Sequence, residues 1–322
     1  MTTPLPLDPE LAEPLKFFLD LLGGGLDLRD VPAFRARSDA IFAGAAAQEP
    51  DVAGVSTEDM QIAGAGGAPA VNVRLYLPTA ASKGPRAALL WIHGGGYVLG
   101  NLDQSNLMLK QLAADTGIAM LAVDYRLAPE HPYPAALEDC YAALAFLFER
   151  AAQLRLDPER IAIGGASAGG GLTAALALLA RERGHYRPAL QLLFYPMIDD
   201  TNVLPVSPER PDTLLWTRAN NADAWRCYLG PLAGTGRIPA TAAPARATDL
   251  RGLPPAFIPV GTLDLFLQED IAYAQRLLAA GVSTELHVYP GAYHAFDAFA
   301  PESKLGRKFA ADLREVLQRA LG

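Results

Sequence analysis

Ile161-Ala162-Ile163-Gly164-Gly165-Ala166-Ser167-Ala168-Gly169-Gly170-Gly171 joins a strand pattern to a helix pattern through one serine. The apolar, β-branched start reads as a short buried strand. The leucines at 172, 176 and 179, among alanines, read as a helix. Gly165-Ala166-Ser167-Ala168-Gly169 at the junction is a G-x-S-x-G turn in its strand–turn–helix context. Such a turn strains the serine backbone so that the hydroxyl stands above the sheet edge. It brings strand and helix so close that only Gly or Ala fits at Gly165 and Gly169. The helix that follows aims free N–H groups and its positive end at the place where an oxyanion would form. Glycine-serine turns are common by themselves, so the surrounding chain has to support the reading.

Outward from this turn the chain alternates strands and helices. Val55–Ile62 and Ala70–Leu77 read as a hairpin around Gly64-Ala65-Gly66-Gly67. Ala87–Ile92 and Ile118–Asp124 are continuous apolar runs, as strands buried on both faces require. A helix-like segment to about Asp115 lies between them. Pro134–Gln153 is an amphipathic helix, with Leu137, Tyr141, Leu144 and Phe148 on one face. Beyond the turn come strand Ala189–Tyr195, strand Ala256–Val260, helix Leu267–Ala280, strand Thr284–Tyr289 and helix Ser303–Leu321. This rhythm predicts an α/β fold with a mostly parallel central sheet flanked by helices and right-handed crossovers. Ligands of such sheets bind beyond the C-terminal strand ends.

Two regions break the rhythm. Residues 1 to 50 hold two helical patterns, one with Leu11, Leu15, Phe18 and Leu22, the other with Ile41 and Phe42, separated by Gly23-Gly24-Gly25. Residues 197 to 250 read as an insertion with one or two helices around Leu214 to Tyr228. The core is thus expected in two parts, 51–196 and 251–322. The net charge of −8 argues against nucleic-acid and anionic-membrane surfaces. The longest apolar run, Leu172–Ala180, is too short to span a bilayer. Residues 1 to 10 show no leader pattern, and the cytoplasm is the expected compartment. Cys140 and Cys227 are far apart and in no metal spacing; Cys140 reads as a buried thiol. No metal or cofactor is expected, and no feature decides for or against a homodimer.

A serine nucleophile needs a base, a group that orients the base, and donors for the oxyanion. With a serine elbow, acid and histidine follow in that chain order. His294 lies in the loop after the last strand, where the base belongs. His287 lies inside that strand and reads as a face-exposed strand residue; His131 and His185 read as structural. The loop and helix start Gly261–Asp270 offer Asp264, Glu269 and Asp270. Asp264 is in the loop and is the expected acid, although the same residue suits a helix cap. Glu269 is next in line; on the helix, it and Asp270 favour the dipole and need no further role. His93-Gly94-Gly95-Gly96, directly after a buried strand, offers bare N–H groups at Gly94, Gly95 and Gly96. The N–H of Ala168 completes an oxyanion hole.

At these residues the chain resembles the hormone-sensitive-lipase family of esterases, in its bacterial family IV form. The matching pieces are His93-Gly94-Gly95-Gly96-Tyr97, Asp124 to Ala135, Asp157-Pro158, Gly165 to Gly170, Tyr195-Pro196, Asp264 and Gly291 to Phe296. They span residues 60 to 300. The resemblance implies the α/β-hydrolase fold with a helical cap built from residues 1–50 and 197–250. It implies hydrolysis of short- to medium-chain carboxylic esters without a metal, with Ser167 as nucleophile, Asp264 as acid and His294 as base. Two departures stand out. Ala166 replaces the family's usual Asp or Thr, and Asp264-Leu265-Phe266-Leu267-Gln268 replaces Asp-Pro-Leu-x-Asp. Non-catalytic hormone receptors of this fold lack the histidine that is present here as His294.

The expected function is therefore ester hydrolysis on a small-molecule ester through an acyl-enzyme. An amidase, deacetylase or lactonase with the same residues is the enzymatic alternative, and a non-catalytic binding protein is the other. Tyr97, Phe17, Phe18, Leu21, Leu22, Leu214, Leu215 and Trp216 are candidate pocket residues favouring an apolar group. Packing between cap and body explains the same residues equally well.

Overall fold

The computed structural model describes residues 6–203 and 215–322. Leu214 and the start of the insertion helix expected there lie outside the described residues. In chain order the elements are α1 (Pro9–Leu21), α2 (Val31–Ala46), β1 (Val55–Ile62), β2 (Val71–Pro78), β3 (Arg86–Ile92), α3 (Asn106–Thr116) and β4 (Ala119–Asp124). There follow α4 (Ala135–Glu149), the one-turn α5 (Ala151–Leu154), β5 (Leu156–Ala166), α6 (Ala168–Arg183), β6 (Gln191–Phe194) and α7 (Arg218–Leu229). The chain closes with β7 (Ala256–Gly261), α8 (Leu267–Ala279), β8 (Thr284–Tyr289), the short α9 (Phe296–Phe299) and α10 (Lys304–Leu321).

The eight strands form one sheet in the order β1-β2-β4-β3-β5-β6-β7-β8. The β1–β2 and β2–β4 pairs are antiparallel, and every pair from β4 onward is parallel. This is the predicted mostly parallel sheet. Leu89, Leu90, Leu121, Ile161 and Ile163 are wholly buried, because helices cover both faces. Strand β6 is shorter than Ala189–Tyr195, and α9 has no counterpart in the sequence reading.

Local signals explain the element ends. Asp8 caps α1 by accepting the Glu10 N–H, with Pro9 in the first turn. Helices α3 and α6 stop at Gly117 and Gly184, both left-handed. Helix α1 turns Leu11 and Leu15 inward and lays Phe18 on Phe299, with ring centroids 3.9 Å apart. Phe17 and Leu21 occupy the opposite face and are 71% and 45% exposed, so the expectation that they line a pocket fails. The chain ahead of α1 is fastened to the far end of the sequence: the Asp8 N–H donates to the Gly291 carbonyl at 3.0 Å, and Glu10 pairs with Lys304.

The turn between β5 and α6 is tighter than expected. Gly165 pairs with Ile92 in the β3–β5 ladder. A Cβ on Gly165 would stand 2.5 Å from the Ile92 carbonyl oxygen, and one on Gly169 would overlap that oxygen outright. Alanine is therefore excluded at both positions, where the sequence reading allowed it. Replacing Gly169 by Ala is expected to cost about 3 kcal/mol or more in urea denaturation, through forced backbone displacement. Gly44 lies in α2 with open space around it. Gly44→Ala is expected to stabilise by up to about 1 kcal/mol in the same assay.

Candidate active site

Three side chains from three strand ends meet above the sheet. Ser167 sits between β5 and α6 at φ 58° and ψ −119°, a conformation that non-glycine residues adopt only when their surroundings force it. The forcing bonds are visible: Ser167 N–H donates to the Phe194 carbonyl, while the N–H groups of Gly171 and Met197 donate to the Ser167 carbonyl. Asp264 follows β7 and His294 follows β8. His294 Nδ1–H donates to Asp264 Oδ2 at 2.7 Å. Its Nε2 is thereby left to accept the Ser167 hydroxyl, 2.9 Å away. Asp264 Oδ1 accepts the Phe266 N–H at 2.9 Å, so this carboxylate both turns its loop and orients the histidine. All three side chains are buried. Tyr195 and Phe266 stand edge-on to the His294 ring, with centroids 4.8 and 5.1 Å away.

The loop after β3 lies against this group. A Cβ on Gly94 would be 3.4 Å from that of Ser167. His93 turns back, with Nδ1–H donating to the Gly94 carbonyl at 2.8 Å and its ring stacked on Tyr125. Burial lowers the His93 pKa and keeps its ring neutral. Tyr125 Oη donates to the His93 carbonyl at 3.0 Å. From α2, Arg35 donates to the carbonyls of Val98 and Ala128 and pairs with Glu130. The glycine loop is thus held from several sides, and Ala168, the first residue of α6, presents its N–H from the other direction. Such a constellation can deprotonate a hydroxyl, stabilise the resulting imidazolium and receive a negative oxygen. Among the described residues no group of three or more His, Cys, Asp or Glu side chains is placed to hold a metal.

The family model for the alpha/beta hydrolase fold matches residues 89–298. The chain belongs to the α/β-hydrolase family. The hydrolase is 40% identical over 233 residues to carboxylesterase NlhH of Mycobacterium tuberculosis, covering 71% of this chain and 72% of that one. It is 33% identical over 303 residues to an ethyl acetate hydrolase of Pseudomonas putida, covering 90% and 92%. The solved structure of a bacterial heroin esterase superposes with a TM-score of 0.91 at 40% identity, over 98% of both chains. The resemblance to hormone-sensitive-lipase esterases holds, and the hydrolase is an enzyme of the carboxylesterase kind.

The expected pocket residues of this hydrolase are placed unevenly. Trp216 is buried against the Gly94–Gly96 loop: a Cβ on Gly96, whose φ is 60°, would collide with its ring. Its Nε1–H donates to Asn221 Oδ1. Leu215 is buried beside it in the chain, and Phe18 is half-buried on Phe299. Leu22 packs into the core with Leu28, Val31 and Phe34. Tyr97 is likewise a packing residue, its ring stacked on Tyr228 and its hydroxyl donating to the Met197 carbonyl at 2.7 Å.

Glu269 is more than a dipole partner. It is buried, and its carboxylate accepts the N–H groups of Ile198 and Asp199 and the Asn202 amide at 2.9, 3.2 and 2.6 Å. Asn221 donates to the Asn202 carbonyl, so a continuous polar chain runs from α8 to Trp216. Burial pushes the Glu269 pKa well up, against the pull of these donors. The structure brings together Ser167, Asp264 and His294, the three residues expected from the sequence; Arg35 and Asn202, which hold the surrounding loops, carry no sequence motif. Glu269→Ala is expected to cost about 3 kcal/mol in chemical denaturation, since several buried donors lose their acceptor. Glu269→Gln, which keeps one carbonyl acceptor, is expected to cost less than half of that.

Proposed function

We propose that this hydrolase cleaves short- to medium-chain carboxylic esters through an acyl-enzyme on Ser167. The observation that carries the reading is the unbroken hydrogen-bonded line from Asp264 through His294 to a strained serine at a helix N-terminus. His294 takes the Ser167 proton as Oγ attacks the ester carbonyl. The oxygen that becomes negative is received by the N–H groups of Ala168 and of the Gly94–Gly96 loop. His294 then protonates the leaving alkoxide. In the second half it activates water, which releases the acid and restores the serine. Asp264 holds the imidazole tautomer and stabilises its charged form throughout. The relatives named as carboxylesterase and ethyl acetate hydrolase support esters as the substrate class.

Helices α1 and α2 and residues 197–250 form the cap in this reading, and the remainder forms the catalytic body. Trp216 on Gly96 limits the space beside the oxyanion loop, which favours short acyl or alcohol groups.

Hydrolysis of p-nitrophenyl esters from acetate to dodecanoate tests the proposal. Activity is expected to peak at short chains. It should fall on the order of a millionfold in Ser167→Ala and about ten-thousandfold in Asp264→Asn. Trp216→Ala is expected to move the optimum toward longer chains. A Ser167→Ala protein with wild-type turnover would remove the nucleophile from this site. A folded wild type inert on every ester would redirect the search to amides and lactones.

A further inference from the structure

Asp297 lies three residues beyond His294, in the first turn of α9, and the mechanism above leaves it unused. Its carboxylate is half-buried and accepts the Tyr195 hydroxyl at 2.8 Å. Tyr195 follows β6, next to the Ser167 turn; its own backbone is forced to φ 35° and its N–H donates to the Pro259 carbonyl. The tyrosine ring then stands edge-on to the His294 imidazole, 4.8 Å between centroids. Carboxylate, phenol and imidazole thus form a second line into the site, approaching the histidine on a path other than that of Asp264.

We infer that Asp297 and Tyr195 are positioning residues that hold the His294 ring and favour its charged form during turnover. The inference rests on the esterase reading, which makes His294 the base. Among the described residues Asp297 forms no ion pair with a lysine or arginine. Helix α10 directs its nearby cations elsewhere, Lys304 to Glu10, Arg307 to the Glu302 carbonyl and Lys308 to Asp312, all three exposed. Helix α1 meets α9 through Phe18 on Phe299, and its Lys16 pairs with Asp20 in solvent. The remaining titratable groups that bear on Asp297 are His294, Tyr195, Tyr289 and Tyr293, with Asp264 beyond them acting on Tyr195. His294 is then the cation beside Asp297 that the carboxylate can serve when the imidazole takes a proton.

The electrostatics agree in sign. Burial pushes the Asp297 pKa up to about 6, while the Tyr195 bond, its own and the Ala298 backbone N–H groups and His294 pull it down. Above its own titration the Asp297 carboxylate is negative, and a negative charge on this side of the ring supports an imidazolium in the transition state.

The test compares wild type, Asp297→Asn and Tyr195→Phe by two readouts. One is the pH profile of kcat/KM on p-nitrophenyl acetate. The other is the NMR titration of the His294 ring, which needs no turnover. Asp297→Asn is expected to lower the neutral-pH plateau of kcat/KM about tenfold, the size of one screened charge interaction. The same change should move the acid limb and the His294 titration about one pH unit toward acid, because the charged ring loses its support. General loosening of the site lowers the plateau without that opposite displacement. Tyr195→Phe keeps the carboxylate but removes its donor, so the plateau is expected to be reached only at higher pH. An Asp297→Asn titration and acid limb superimposing on wild type overturn the inference. If that variant does not fold, a Tyr195→Phe profile identical to wild type does so. Absence of esterase activity with the NMR shift intact would sink the esterase reading and leave the Asp297–His294 coupling standing.

Discussion

The carbonyl oxygen of Ile92 leaves room for a hydrogen, and nothing larger, on the α-carbons of Gly165 and Gly169. Strand β3, strand β5 and helix α6 are pressed together at this point, so the chain between β5 and α6 has a single path. That path forces Ser167 into a backbone conformation it would not otherwise hold. The cost is met by three backbone bonds on the serine's own N–H and carbonyl. Because the strain is distributed over β6, α6 and the segment after β6, the serine hydroxyl cannot relax without moving the centre of the sheet. Rigidity at Ser167 is thus a property of the sheet rather than of the turn.

The rest of the site hangs from the same edge. Asp264 and His294 sit on loops locked to each other: a Cβ on Gly261 would overlap the Ala292 carbonyl oxygen, which accepts the Leu263 N–H at 2.9 Å. Side-chain contacts finish the placement: the Phe266 N–H on Asp264, and two aromatic edges on the imidazole. The glycine loop closes on itself, with the Val98 and Leu99 N–H groups on the Gly95 carbonyl, and is pinned further by Tyr125, His93 and Arg35. In the proposed mechanism the serine oxygen needs a fixed direction of attack, and the histidine passes a proton between two oxygens, which calls for a ring held in plane.

Much of this was legible in the sequence because parallel strands buried on both faces leave continuous apolar runs, as Ala87–Ile92 and Ile118–Asp124 do. Their ends placed Gly94, Ser167, Asp264 and His294 in loops at one edge. What escaped were contacts made by ordinary residues across long separations. Arg35 and Glu130 are 95 positions apart and carry no pattern linking them. Glu269 reads as an unremarkable first-turn acid until Ile198 and Asp199 are seen to bring it their amides. On α1, apolar residues sit on both faces, so periodicity alone could not tell that Phe18 goes in and Phe17 goes out. Glycine against alanine at Gly169 is decided by how closely the Ile92 and His93 carbonyls approach it, a tertiary contact that no local pattern encodes.

The bond from the Asp8 N–H to the Gly291 carbonyl, with Phe18 resting on Phe299, closes a circle between the two ends of the sequence. Helix α1 is made well before the surface it settles on, which lies about 280 residues further along the chain. Through most of synthesis this helix has no partner, and thirteen residues alone are too few to stay helical in water. The His294 loop, for its part, is not fully braced until α1 returns to it. Docking of this early segment onto a much later one is thus a late event of assembly, and the order in which the chain is made differs from the order in which it becomes structured.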